Sequence, residues 1–258
     1  SLDACKFVAK QNAGKSDLTL FTDSMNALHY MIDSAESDLS DGRTFLAIID
    51  YLVNEVGIDV NSKRPDDAMS ALQLLCSYSA DVNRLHKNNA SISEDTVDAL
   101  MLELAKKLVG YGGDVYHADE KHDGQTCLHY LVAGFGKERE TVGENPFGLF
   151  DLLKYTWLER WPKHKKIGNN PLTVKDEAGN TMLHTACYEN CSEGANPRRA
   201  LLAEKLVKEG ADIHALNDDG HPPIQRACEY AENVALVKFL VGLDKGLAKI
   251  PGLLHAAA

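Results

Sequence analysis

The chain has 258 residues, 44% apolar and 25% charged, and 27 Lys and Arg against 38 Asp and Glu leave a net charge of −11. This balance excludes disorder and low-complexity sequence, and the acidic excess disfavours nucleic acid and anionic membranes while favouring a basic partner. Six cysteines with no Cys-x-x-Cys pair make no disulfide framework and suit a reducing compartment, and no apolar run nears the ~18 residues of a membrane span.

In chain order, residues 2–12 read as a helix that residues 14–18 close, the end of a preceding unit. A motif then recurs: a turn residue, a small residue, an aliphatic, His or Gln, and small residues. It reads Asn26-Ala27-Leu28-His29, Ser70-Ala71-Leu72-Gln73, Thr126-Cys127-Leu128-His129, Thr181-Met182-Leu183-His184-Thr185-Ala186-Cys187 and Pro222-Pro223-Ile224-Gln225-Arg226-Ala227-Cys228. Leu253-Leu254-His255-Ala256-Ala257-Ala258 starts it a sixth time. A second motif closes apolar helices at Gly57-Ile58-Asp59-Val60-Asn61, Gly113-Asp114-Val115-Tyr116 and Gly210-Ala211-Asp212-Ile213-His214. Thr181 is placed to cap a helix, Gly210 to end one in the left-handed conformation, and Gly179 and Gly220 to make tight turns. Leu201, Leu202, Leu206 and Val207 fall at helical spacing as one apolar face.

Together these motifs resemble the ankyrin-repeat family, whose first helix opens with Thr-Pro-Leu-His and whose second exits through Gly-Ala-Asp. The resemblance covers essentially the whole chain. It implies an all-α ankyrin-repeat solenoid of helix-turn-helix units with short β-hairpin or loop fingers and irregular inter-helix insertions. The units would be 22–62, 63–117, 118–174, 175–215 and 216–250. Residues 1–21 would be a preceding-unit or capping helix and 251–258 the start of a sixth unit, the whole a fragment of a longer protein.

The spacing departs from the family. Leu28, Leu72, Leu128, Leu183, Ile224 and Leu254 are separated by 44, 56, 55, 41 and 30 residues, against a family period of about 33. The excess falls between the helices of a unit, at 36–42, 78–95, 134–145 and 190–197. The third unit also lacks the Gly-Ala-Asp exit, and 157–171 stand in its place. Such insertions are similar in style to those of ankyrin proteins that intracellular bacteria deliver into host cells. A cytoplasmic location, that of a host cell included, is the expectation.

Several residues invite chemistry. His29, His129, His184 and His255 share the Leu-His slot, where the resemblance implies that the ring ties neighbouring hairpins; Gln73 and Gln225 share its donor and acceptor capacity. His184, Cys187 and Cys191 lie at i, i+3 and i+7, a face for a soft metal that lacks a fourth ligand. Cys127 beside His129 suggests a nucleophile and base, but it fills the Pro slot at a helix start, where packing is favoured. Ala9-Lys10-Gln11-Asn12-Ala13-Gly14-Lys15-Ser16 fits a relaxed phosphate-loop pattern without the strand before and helix after that the mechanism needs. Arg160-Trp161-Pro162-Lys163-His164-Lys165-Lys166 is the one basic run; a basic, aromatic loop could grip an acidic partner, a phosphate or a lipid headgroup, but a solvated loop with Trp157 and Trp161 packed on the solenoid is the favoured reading. Two glycosylation triplets, at Asn89 and Asn190, carry no weight without a secretory signal.

No catalytic residue, metal or cofactor is assigned. The expected function is a protein-interaction scaffold, monomeric, binding a basic protein or peptide and no nucleic acid, without membrane insertion. The resemblance implies that the surface comprises His122, Asp123 and Gln125, then Glu177, Ala178 and Asn180, then Asp218, Asp219 and His221 on the hairpins. On the first helices it implies Tyr188, Glu189, Glu229 and Tyr230. The alternative is a targeting or regulatory arm of a larger enzyme or translocated effector whose catalytic domain lies outside this stretch or within its insertions.

Overall fold

The structure, a computed structural model, describes residues 26–35, 42–80, 93–119, 121, 124–135, 145–160, 170–188, 197–228 and 234–250. The fold is all-α. In order run α1 (Ala27–Ala35), α2 (Gly42–Asn54), α3 (Ala71–Ala80), α4 (Glu94–Gly110), α5 (Cys127–Gly134), α6 (Gly148–Arg160), α7 (Met182–Cys187), α8 (Pro197–Lys208), α9 (Pro223–Cys228) and α10 (Val234–Leu243). The only β-pairing among the described residues is three antiparallel bridges, Lys63 with Ser70, Ala118 with Thr126 and Lys175 with Thr181.

Contacts between helices follow a regular order. The odd-numbered helices α1, α3, α5, α7 and α9 each touch the next, and each also touches the even-numbered helix that follows it in sequence. Behind them α2 touches α4, α4 touches α6, and α8 touches α10. One apolar core runs from Leu28 to Leu247. The odd helices are short and buried almost all round: α7 has six residues, and Met182, Leu183, His184, Ala186 and Cys187 are all buried. An isolated helix that short is unstable in water, so its neighbours on both sides must hold it.

The even helices are longer and one-sided. In α8 the buried stripe is Leu202, Ala203 and Leu206, whereas Leu201 is 38% exposed and Val207 half-buried. The expected face is therefore rotated, because Leu201 lies about 100° round the helix from Leu202. Three even-helix ends use a left-handed glycine, Gly57, Gly112 and Gly210. At the last, the Gly210 and Ala211 amides donate to the Val207 and Leu206 carbonyls at 3.0 and 2.9 Å. This matches the exit expected there.

The third pair ends differently. Residues 157–160, expected to begin a substitute exit, are the last turn of α6, because Phe150, Leu153 and Trp157 at i, i+3 and i+7 share its buried face. Trp157 is fully buried, edge-on to Tyr116 with ring centroids 4.5 Å apart, and the Tyr116 hydroxyl donates to the Trp157 carbonyl at 2.6 Å. Arg160, the one residue of the basic run that is described, is half-buried and donates to the Gly113 and Val109 carbonyls at 2.9 and 2.6 Å, at the open end of α4. Downstream, Asn170 caps a 3-10 turn at Pro171–Thr173 that touches α6 and α7. Between α6 and α8 the link is ionic. Lys154 meets Glu209 at 2.6 Å, and Lys205 meets Asp151 and Glu209 at 2.8 and 2.9 Å. Burial alone would raise the Glu209 carboxyl, but the two ammonium groups outweigh it and hold it below the usual range.

Helices α1, α3, α5 and α7 stop, and α2, α4, α6 and α8 restart, at or near the edges of the expected insertions. The inner parts of those insertions, residues 1–25 with the helix and relaxed phosphate loop expected there, 161–169 and 251–258 lie outside the described residues.

Four hairpins precede α3, α5, α7 and α9, each closed by a backbone bond from an amide at its start to a carbonyl at its end: Arg64 to Met69, Asp119 to Gln125, Asp176 to Asn180 and Asn217 to His221. The residue before each accepting carbonyl is left-handed, with φ of 60° at Ala68, 64° at Gly124, 74° at Gly179 and 76° at Gly220. Ala68 alone carries a Cβ there, which costs about 1 kcal/mol. Ala68→Gly is therefore expected to raise stability by up to about 1 kcal/mol. Gly179→Ala is expected to lower it by more, since the added Cβ would fall on the Asp218 carboxylate and 2.7 Å from its backbone nitrogen. Shifts in the urea midpoint at unchanged slope check both.

Candidate functional site

A repeated side-chain bridge holds the hairpins in place. At α7, Thr181 and His184 form a capping box: the Thr181 amide approaches His184 Nδ1 at 3.1 Å and the Thr181 hydroxyl at 2.9 Å. The other ring nitrogen, Nε2, reaches the His221 carbonyl at 2.9 Å. A carbonyl only accepts, so Nε2 carries the proton and Nδ1 is the bare acceptor. The resemblance implied such a tie, and Gln73 makes the same one with an amide. Its oxygen accepts from the Ser70 amide at 2.9 Å, and its nitrogen donates to the Gln125 and His117 carbonyls at 3.0 and 3.2 Å. His29 Nε2 lies 3.1 Å from the Met69 carbonyl.

His129 breaks the series. It makes the capping box with Thr126, yet its buried Nε2 faces the Val174 carbonyl short of full hydrogen-bond geometry and makes no bond to the carbonyl that closes the next hairpin. Burial lowers the pKa of all three rings, that of His29 to about 4.

On this frame the hairpin tips are set side by side. The Asp218 amide donates to the Ala178 carbonyl at 3.1 Å, Asn217 Nδ2 to Asn180 Oδ1 at 3.0 Å, and Lys175 Nζ to the Leu216 carbonyl at 2.8 Å. Gly124 leaves room for the Glu177 side chain, whose Cγ lies 2.9 Å from where a Cβ would stand.

Of the expected surface residues, Glu177, Ala178, Asp218, Asp219 and Tyr188 are exposed. Asn180 is half-buried, its amide engaged by Asp176 and Asn217. His221 is half-buried with Nδ1 turned inward, and Gln125 is half-buried, its carbonyl taken by Gln73. His122, Asp123, Glu189, Glu229 and Tyr230 lie outside the described residues. One neighbour had not been anticipated: Arg226 of α9 stands 5.6 Å from the Tyr188 ring centroid and 3.9 Å from the Asp219 carboxylate. Its sequence signal is a basic residue directly after the Ile224-Gln225 slot.

The four described thiols are packing groups. Cys76, Cys127, Cys187 and Cys228 are buried, and burial pushes the Cys76 thiol up, away from a nucleophilic thiolate. Cys127 donates to the Val115 carbonyl at 3.4 Å, while the Nδ1 of His129 faces Thr126. No group of three or more metal-ligating side chains occurs among the described residues, Cys191 not being one of them. No described helix is long and apolar enough to cross a membrane. The chain matches no protein-family model and no curated protein by sequence.

The buried rings make stability depend on pH. The unfolded chain binds protons near pH 6.5, which the folded rings refuse until lower pH, so the unfolded state holds more protons in between. Stability is full above pH 6.5 and falls as pH drops towards about 4. Urea unfolding at pH 7 and pH 5 should show this loss, and the triple variant His29→Gln, His129→Gln, His184→Gln should flatten it. At pH 7, His184→Gln is expected to cost little, because Gln73 fills the same slot, whereas His184→Ala should cost about 1–3 kcal/mol.

Proposed function

We propose that the chain is a divergent ankyrin-type solenoid whose row of hairpin tips and odd-numbered helices binds a basic protein or peptide. It acts as an interaction scaffold, without catalysis or a cofactor of its own. The observation that carries this reading is the fixed display of Glu177, Asp218 and Asp219: all three are exposed, on hairpins bonded to each other through backbone and side chain. Carboxylates held at set positions attract a basic partner without an ordering cost at the moment of binding. The exposed ring of Tyr188 supplies the amphipathic contact area that interface anchors favour. The buried thiols, with the histidines engaged in capping, favour this reading over cysteine-based chemistry.

The triple variant Glu177→Lys, Asp218→Lys, Asp219→Lys tests it. Partners retained from a cell lysate by the unaltered chain are expected to bind through Lys- or Arg-rich segments. Their affinity for the variant should fall at least about tenfold, equivalent to ~1.4 kcal/mol. Calorimetric titration of such a segment reads the effect. Equal affinity for both chains would overturn the placement.

A further inference from the structure

We propose that the row of odd-numbered helices takes its partner as an extended polyproline II strand, with prolines on a line of tyrosine rings and a basic residue once per turn of the strand. The proposal rests on the basic-partner reading and gives that partner a backbone conformation and a sequence period.

Each of the first four odd helices contributes one tyrosine to the row: Tyr30 in α1, Tyr78 in α3, Tyr130 in α5 and Tyr188 directly after α7. Tyr30 and Tyr130 directly follow His29 and His129 of the shared slot, whereas Tyr78 follows Gln73 by five residues and Tyr188 follows His184 by four. These offsets differ by one helical turn, so the four rings share one face of the row. They alternate between its first and second turns, which sets them to either side of a line crossing the helices. Tyr30 and Tyr188 are each 44% exposed, and Tyr78 and Tyr130 are half-buried. The rings are also anchored. The Tyr78 hydroxyl donates to the Asp33 carboxylate, the Tyr130 hydroxyl donates to the Asp119 carboxylate at 2.6 Å, and the Arg226 guanidinium stands 5.6 Å from the Tyr188 centroid. Rings held in place bind with little ordering cost.

Spacing selects the ligand. Packed helices stand about 8–10 Å apart. A polyproline II strand climbs about 9 Å in each three-residue turn, so every third residue meets the next helix of the row. A β-strand turns alternate residues away from such a row. Proline-rich strands are preformed and dock on aromatic-lined surfaces, which matches four tyrosines in succession. Charge matches as well. Asp66, Glu177, Asp218 and Asp219 are exposed on the hairpin tips, whereas Lys121 and Lys175 of those tips donate to the Asp66 and Leu216 carbonyls of neighbouring hairpins. Prolines of the strand therefore lie on the rings, and its basic side chains lean towards the carboxylates.

Fluorescence anisotropy with two labelled peptides of one composition tests the strand. One is four Arg-Pro-Pro triplets; the other is its block isomer, with all arginines together and all prolines together. The triplet peptide should bind about three- to tenfold more tightly than the block isomer, although both carry the same charge. The double variant Tyr30→Ala, Tyr188→Ala should remove that difference, and Tyr30→Phe, Tyr188→Phe should keep it. Tyr155→Ala, which deletes a ring 68% exposed on the even helix α6, should change neither affinity.

A block isomer that binds as tightly as the triplet peptide overturns the strand, as does binding of neither. A double alanine variant that loses no more affinity than Tyr155→Ala overturns the tyrosine row. The basic-partner reading is judged apart: it survives such a failure if charge reversal at Glu177, Asp218 and Asp219 still weakens basic partners, and falls if it does not.

Discussion

The backbone carbonyl that closes each hairpin is shared between two helix pairs, and the order of the described structure depends on that sharing. It accepts the hairpin's own amide, and in three of four hairpins it also accepts a side chain from the preceding odd helix: His29 to Met69, Gln73 to Gln125, His184 to His221. The same side chains at positions 73 and 184 also accept from the amide that opens their own helix. One residue thus joins the amide that opens its own helix to a carbonyl of the next hairpin, and that hairpin is placed as a consequence. At positions 73 and 184 the residue accepts at one end and donates at the other, which limits it to neutral His or to Gln; His29 differs, both of its ring nitrogens facing oxygens, Asn26 Oδ1 and the Met69 carbonyl. Burial keeps the rings in that neutral form.

The third-to-fourth junction shows what happens where the bond is missing. His129 keeps its capping box, but its Nε2 faces the Val174 carbonyl, ahead of the next hairpin, and not the carbonyl that closes it. The same junction is where the even helices α6 and α8 are linked by Lys154, Lys205, Asp151 and Glu209, and where the segment ending in the 3-10 turn at Pro171–Thr173 replaces the glycine exit. There the Glu177 side chain lies close against Gly124.

Much of this was legible in the sequence because it is local. The cap at Thr181, the left-handed turns at Gly179 and Gly220, the exit at Gly210 and the helix edges beside the insertions each follow from a few neighbouring residues. What was not legible depends on residues far apart in the chain. Ala68 gives no sign of a positive φ, because alanine does not select it. Trp157 looked like part of an irregular exit until Tyr116, 41 residues earlier, gave it a place in the core. Arg160 read as one more basic residue, yet its partners are carbonyls 47 and 51 residues away. Of the surface, the exposed acids were found from the family pattern, whereas the half-burial of Asn180 and His221 and the seat of Arg226 depend on how adjacent hairpins meet.

The shared-carbonyl bridge is most directly open to nitrogen-resolved NMR of the histidine rings at neutral pH. The account predicts that His184 is neutral, carries its proton on Nε2, exchanges that proton slowly, and shows coupling from Nε2 to the His221 carbonyl. A His184 ring protonated on Nδ1, or one whose proton exchanges as fast as that of an exposed histidine, would contradict it.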